Sequence, residues 1–212
     1  MIGKGRQNMR AFKPASIVLS ALLVVSCVYV NFPRPSNWAL PIQVDGVPNL
    51  HKVSDFLYRS AQPTEEGFKR LEALGVKTVV SLRRYHSDID LMKNTSLKYI
   101  SVPMVAWSPD EESIVLFLRT VGGQSGDLDS PTGEVGSPTK SPVLVHCLHG
   151  ADRTGVAVAM YRVAVQGWDK DEALAEMTDG GFGFHYVWWN LVWWVKGLDV
   201  EKIKFESGLN KY

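Results

Sequence analysis

Cysteine is almost missing from this chain: among 212 residues there are two, Cys27 and Cys147. Two cysteines cannot build a disulfide framework, so stability has to come from an apolar core. A charge bias is missing too. Lys and Arg number 23 against 22 Asp and Glu, a formal net charge of +1. No bulk field draws the chain to nucleic acid or to a membrane surface. There is no basic stripe with interleaved aromatics, which excludes a nucleic-acid-binding reading. No internal repeat is present, which excludes a solenoid or propeller. The N-terminal apolar run, SIVLSALLVVSCVYV, extends only from Ser16 to Val30. That is short of the roughly 20 residues a spanning helix needs.

What is present begins with that run. Lys4, Arg6, Arg10 and Lys13 precede it, giving the basic and apolar regions of an export signal. Val24-Val25-Ser26-Cys27 resembles a bacterial lipobox, in which the cysteine becomes the lipidated first residue. Three outcomes are open: a lipoprotein at Cys27, an uncleaved signal anchor over 1–30, or a plain cleaved signal. All three export the domain to the bacterial periplasm or cell envelope, and the first two hold it to the membrane. A buried core helix is the bland alternative, but the basic residues sit only on the N-terminal side. With Cys27 lipidated or removed, Cys147 is the only free thiol. A lone thiol in an oxidising compartment is a liability, so a chemical role is expected for it.

Residues 31–48 carry four prolines, Pro33, Pro35, Pro41 and Pro48, and read as a tether. The remainder, 49–212, reads as one domain with a flexible insertion at 122–142, rich in Gly, Ser, Pro and Thr. Strands are expected within Val53–Arg59, Val76–Leu82, Leu97–Val102 and Pro142–His146. Thr64 N-caps a predicted helix through Leu74, with Gly75 beyond it. Ser108, Pro109 and Glu111 form a predicted capping box for a helix to Val121. Further helices are expected over Thr154–Gln166, over Lys170–Thr178 with Asp169 as N-cap, and over Phe184–Lys196. Strands alternating with helices, then a run of helices, predict an α/β domain with a central mixed sheet flanked by helices.

The stretch HCLHGADRTG, residues 146–155, falls between the last strand and the next helix. Backbone N–H groups at such a helix start converge on an anion. The candidate phosphate-binding set is therefore Leu148, His149, Gly150, Ala151, Asp152, Arg153 and Thr154. Gly150 permits positive φ or close approach. Arg153 can grip two phosphate oxygens with its fork. The same field favours the thiolate of Cys147, and a thiolate beside a bound phosphoryl group is a nucleophile in place. Thr154 can donate to that thiolate or simply cap the helix; His146 orients the loop from its base. Three other readings of the loop are weaker. A structural helix start does not demand Cys and Arg at this spacing. Zinc on His146, Cys147 and His149 fails because adjacent residues cannot easily share one tetrahedral ion. A rhodanese-like sulfurtransferase typically has a shorter loop.

H-C-x-x-G-x-x-R-T-G resembles the signature of the protein tyrosine phosphatase superfamily, in its dual-specificity-like branch. YRSAQP, LGVKTVVSLR, MYRVAVQGWDKDEALAEM and GGFG are similar to bacterial exported, TpbA-type tyrosine phosphatases, over about Leu50 to Gly183. The resemblance implies a cysteine-phosphatase fold, a cysteinyl-phosphate intermediate on Cys147, Arg153 as phosphate clamp, and neither metal nor cofactor.

Such a reaction needs a proton donor for the leaving oxygen. Trp107-Ser108-Pro109-Asp110 resembles the family's acid loop, and Asp110 is the expected acid; a plain role in favouring the helix dipole is its alternative. In TpbA-type relatives the acid lies closer to the preceding strand, where this chain has Trp107. Glu111, Glu112, Asp88 and Asp90 are weaker candidates, and Asp152 is too close to the anion. The loop lacks lysine and adds Asp152, which disfavours highly anionic substrates. A phosphorylated protein is therefore the expected partner, ahead of inositol phosphates. A catalytically weak phosphoprotein-binding module is the competing class. Arg59, Arg83 and Arg84 supply charge around the mouth or are solvated surface. FGFHYVWWNLVWWVKG holds four of the seven tryptophans and is apolar all round, so it packs as core, docks on a membrane or forms a substrate platform. Phe184 and His185 are the members expected to reach the pocket.

Overall fold

A computed structural model of the chain describes residues 34–122 and 141–209. The export segment lies outside the described residues, as does the expected insertion from 123 to 140. Among the described residues six strands form one sheet: β1 (Leu40–Pro41), β2 (His51–Lys52), β3 (Leu57–Ser60), β4 (Thr78–Ser81), β5 (Lys98–Ser101) and β6 (Val143–His146). Their order is β1-β2-β3-β6-β4-β5. The first two pairings are antiparallel, and β3, β6, β4 and β5 run parallel. All of β6 is buried, because a parallel central strand is covered on both faces, and VLVH supplies apolar side chains for both.

Period-2 alternation splits the sheet between two cores. Tyr58, Val79 and Leu144 face α1 (Glu65–Ala73) and α2 (Ile89–Met92), packing with Phe68, Leu71 and Met92. Leu57, Val80, Val143 and Val145 face the larger cluster. That cluster is built by α3 (Glu111–Val121), α4 (Asp152–Gln166), α5 (Lys170–Asp179), α6 (Trp189–Gly197) and α7 (Val200–Glu206). The expected mixed sheet flanked by helices is thus the architecture found.

Capping chemistry set the start of two helices as expected. Thr64 Oγ1 accepts from Gly67 N–H at 3.1 Å, and Gly75 takes φ +99°. Asp169 accepts from Asp171 N–H at 2.7 Å. The start of α3 is a correction. Its N-cap is Asp110, not Ser108, and the Asp110 carboxylate accepts from Ser113 N–H at 2.8 Å. Ser108 instead gives its amide to Val105 O in a turn, at 3.2 Å. The aromatic segment also divides. A 3-10 turn (Tyr186–Trp188) leads into α6, with Leu191, Val192 and Val195 inward and Tyr186, Val187, Trp189 and Trp193 exposed.

The tether expected over 31–48 is corrected over its described part. Ala39 is fully buried, and β1 joins the sheet edge, where Pro41 is tolerated. Ala39 N–H donates to Glu176 Oε1 at 2.6 Å. Glu176 in turn pairs with Arg162, Nε to Oε2 and Nη2 to Oε1 at 2.7 Å each. This buried bidentate pair ties β1's approach, α4 and α5 together. Glu176→Ala, which strands Arg162 as an unpaired buried cation, is expected to cost about 3–5 kcal/mol. Urea unfolding measures it; a loss below about 1 kcal/mol would contradict the pair's structural role.

Candidate active site

The loop 147–151 leaves the carboxyl end of β6 and enters α4. Each of its later carbonyls is bonded away from the loop's interior. Leu148 O accepts from Gln62 N–H at 3.2 Å, and Ala151 O from Gly155 N–H at 2.7 Å. His149 O accepts from Asn49 Nδ2 at 2.9 Å, and Gly150 O from Arg59 Nη2 at 2.8 Å. In a planar trans peptide the following N–H points opposite to the C=O. The amides of residues 149 to 152 therefore turn inward, where an anion would sit. Gly150 is obligatory here: its φ is +68°, and a Cβ would meet Ser60 C at 2.4 Å. Gly155 serves α4–α5 contact rather than helix–sheet packing, since a Cβ there would meet Met177 Cγ at 2.8 Å.

Cys147 is buried at the base of this ring. Arg153 is half-buried, with Nη1 donating to Leu82 O at 3.3 Å. Thr154 fills neither expected role as it stands. Ala151 occupies the cap position, and the Thr154 hydroxyl is buried without a partner. Arg59 is neither at the mouth nor solvated. It is fully buried beneath the loop, its guanidinium 3.6 Å from the centre of the Phe182 ring. Burial lowers its pKa to about 10, with Glu176 and Cys147 opposing, so it remains a cation at neutral pH.

His146 lies at the base of the loop with Nδ1 3.3 Å from Cys147 O, and Asp88 is what anchors His146. His146 Nε2 and Asp88 Oδ2 lie 2.8 Å apart, both fully buried. Asp88 Oδ1 accepts from Gln62 Nε2 at 2.7 Å, and Gln62 Oε1 accepts from Arg83 Nη1 at 2.8 Å. Burial alone would raise the Asp88 carboxyl, but hydrogen bonding and charge from His146, with Gln62 and His86, bring it below its ordinary value. Sequence reasoning offered Asp88 only as a distant acid. No local signal marks it, because its partner is 58 residues away.

Over the loop lies a cavity of about 310 Å³, lined by Arg83, Arg84, Tyr85, Met104, Val105, Ala106, Trp107, Leu148, His149, Asp152, Arg153 and Trp188. Asn190 Nδ2 donates to Ala106 O at 2.8 Å, holding the Trp107 turn against α6. Trp107 and Trp188 lie 6.5 Å apart as one wall. Asp110 is not brought into this cavity. It lines a neighbouring one of about 380 Å³, with Arg84, Pro103, Glu112 and Ser113. Glu111 is engaged by Lys202 Nζ at 2.6 Å. Phe184 is buried, while His185 bonds to Asp152.

An inward ring of amides around a thiol at a strand end, with one cation buried beneath it and another half-buried in the following helix, is an arrangement able to hold a phosphoryl group against a cysteine. The comparisons agree. A model of the tyrosine phosphatase family matches residues 47–179. The chain is 36% identical to the dual specificity protein phosphatase TpbA of Pseudomonas aeruginosa strain UCBPP-PA14, over 81% of this chain and 72% of that one. Crystal structures of P. aeruginosa TpbA superpose with TM-scores of 0.69 and, for a form in complex with pTyr, 0.67. Both are 34% identical and cover 83% of this chain and 99% of theirs. The catalytic core of the PP-IP phosphatase SIW14 from S. cerevisiae shares the fold at 22% identity, with a TM-score of 0.58 over 79% of this chain and 96% of that one. The chain belongs to the tyrosine phosphatase family, in its dual-specificity-like branch, and is a cysteine-dependent phosphoric monoester hydrolase.

The Asp88–His146 pair gives a signed pH dependence. A carboxyl held below its unfolded value stabilises the fold fully above that value, about 3.9, and the contribution fades as pH falls through the folded pKa. The stability difference between the native protein and Asp88→Asn is therefore expected to be constant above about pH 5 and to shrink below about pH 4. Thermal unfolding across this range measures it; a difference that grows on acidification would contradict the assignment.

Proposed function

We propose that this protein hydrolyses phosphotyrosine-class monoesters on proteins, outside the cytoplasm and held to the membrane by its N-terminal segment. The observation that carries the chemistry is the set of four outward-bonded carbonyls, which leaves four amides facing one buried thiol. In this reading Cys147 Sγ attacks phosphorus in line, forming the P–S bond as the P–O ester bond breaks. The inward amides and Arg153 hold the three equatorial oxygens, where charge is spread. Asp110 gives its proton to the leaving oxygen, then takes one from the water that displaces Cys147 and releases phosphate. To do so Asp110 leaves its cap on α3, at a cost of about 1 kcal/mol, as the turn before α3 closes over the cavity.

The cavity wall supports an aryl phosphate. Tyr85, Trp107 and Trp188 offer ring faces and Met104 and Val105 an apolar floor. Such a lining desolvates a phenyl ring better than a ring of phosphates. Arg83, Arg84 and Arg153 supply cations, and Asp152 subtracts from them, which fits one phosphate rather than several.

The full-length protein assayed on phenyl phosphate and a phosphotyrosyl peptide is expected to turn over undiminished in EDTA. Cys147→Ser should abolish activity, and Asp110→Asn should lower kcat by about a hundredfold on the poor phenyl leaving group. Folded, reduced protein that binds vanadate without turnover would make it a binding module instead. Unchanged kcat in Asp110→Asn would remove that residue from the reaction. For the tether, an acyl mass on Cys27 in the membrane fraction is the expected result; recovery as a soluble periplasmic chain would sink it.

A further inference from the structure

His149, Asp152 and His185 bring together two imidazoles and a carboxylate that the phosphatase reaction leaves unused. His185 Nδ1 lies 2.9 Å from Asp152 Oδ2 and 3.2 Å from Oδ1. The rings of His149 and His185 are 5.1 Å apart. One ligand atom from each of the three residues lies within 4.8 Å of the other two. We propose that these residues form a binding site for one transition-metal dication of the zinc class at the rim of the active-site cavity, and that its occupancy inhibits the enzyme.

The donor set suits such an ion. Neutral imidazole and carboxylate are ligands for zinc, cobalt and nickel, and three protein ligands leave a position open. Metal–ligand bonds of about 2.0–2.2 Å put neighbouring ligand atoms roughly 3.3–3.6 Å apart in a tetrahedron. The Asp152–His185 edge is already inside that spacing, and the His149 edge closes by turning side chains at the surface. His149 and His185 are both exposed, whereas Asp152 is buried and fixed.

The backbones that carry these ligands are held in register. Asn49 Nδ2 donates to His149 O and to Phe182 O, 2.9 Å each, joining the phosphate loop to the segment that leads to His185. Asp152 Oδ1 accepts from His185 N–H at 2.9 Å. Little backbone ordering is left for the ion to impose. Because His149 and Asp152 also line the cavity, an ion between them and His185 crowds the path of a phosphomonoester. Binding stands apart from the phosphatase reading; only the inhibition rests on it.

The test uses the full-length chain without a polyhistidine tag. Cys147→Ser removes the thiolate as a competing ligand for the binding measurements. Calorimetric titration with Co²⁺ and Zn²⁺ is expected to show one equivalent bound, with a visible absorption band for coordinated Co²⁺. Adding His185→Ala or Asp152→Asn should weaken binding by about tenfold or more. The Asp152→Asn amide oxygen still accepts from His185 N–H, so unchanged thermal unfolding with lost metal isolates the ligand from the latch. Equal affinity in all three proteins, or no binding by a folded parent, overturns the site. In the native enzyme Zn²⁺ should raise KM, at a midpoint that His185→Ala shifts upward by the same factor as binding. Zinc inhibition unshifted by His185→Ala would place the ion on Cys147 and overturn the regulatory part.

Discussion

The rest of this protein is arranged around one constraint: the amides of residues 149 to 152 must turn toward a point while the carbonyls of residues 148 to 151 find partners elsewhere. A loop that converges N–H groups on one spot has them repelling each other until an anion arrives, so something outside must hold it. Here two segments outside the loop and the first turn of α4 do so. Gln62, Asn49 and Arg59 each reach the loop from the chain N-terminal to β4, and Gly155 reaches it from α4 itself. Arg59 is the most demanding of these, because a buried guanidinium is costly to desolvate. Its cost is offset by the Phe182 ring face and by the carboxylate of Glu176, which raises its pKa against burial. Glu176, which also pairs with Arg162, is thus part of what keeps a cation under the phosphate loop, while Arg162 itself opposes it.

The sheet order serves the same end. Strand β6 is inserted between β3 and β4, both parallel to it, so the loop leaves the sheet between two other strand ends. Those ends bring Ser60 and Ala61 on one side and Leu82 and Arg83 on the other. Crevices beyond the carboxyl ends of parallel strands are where open α/β sheets bind ligands. In this chain the crevice is walled by aromatic side chains, two of them from segments joined by the Asn190–Ala106 bond. The Trp-rich segment consequently has two faces. One fills the core through Leu191, Val192 and Val195, and the other lends Trp188 to the cavity and leaves Trp189 and Trp193 in solvent.

Charge in the site is graded from below to above. Asp88, His146 and Arg59 lie buried beneath the loop, Arg153 is half-buried beside it, and Arg83 and Arg84 stand at the mouth. Asp152 is the exception, an acid among the anion-binding amides. Its carboxylate is satisfied by His185 rather than left to repel a phosphate. That arrangement explains how a loop with an acidic residue can still present its amides to an anion.

By itself the sequence placed Cys147 and Arg153 on one loop between a strand and a helix, and marked the caps Thr64 and Asp169. Each of these depends on residues within one or two turns of one another, as with Thr64 and Gly67, or Cys147 and Arg153. Tertiary structure decided what reaches the loop from afar. Arg59 read as surface charge because nothing local says that Phe182 will cover it, 123 positions on. Asp88 read as a loop acid because its histidine belongs to another strand. The stretch 34–48 read as a tether because proline content reports backbone stiffness, not the Glu176 carboxylate that pins Ala39. Asp110 read as an acid from a local pattern, and the fold set its carboxylate on the end of α3. Long-range partners leave no periodic trace in a single chain, whereas caps, turns and loop motifs do.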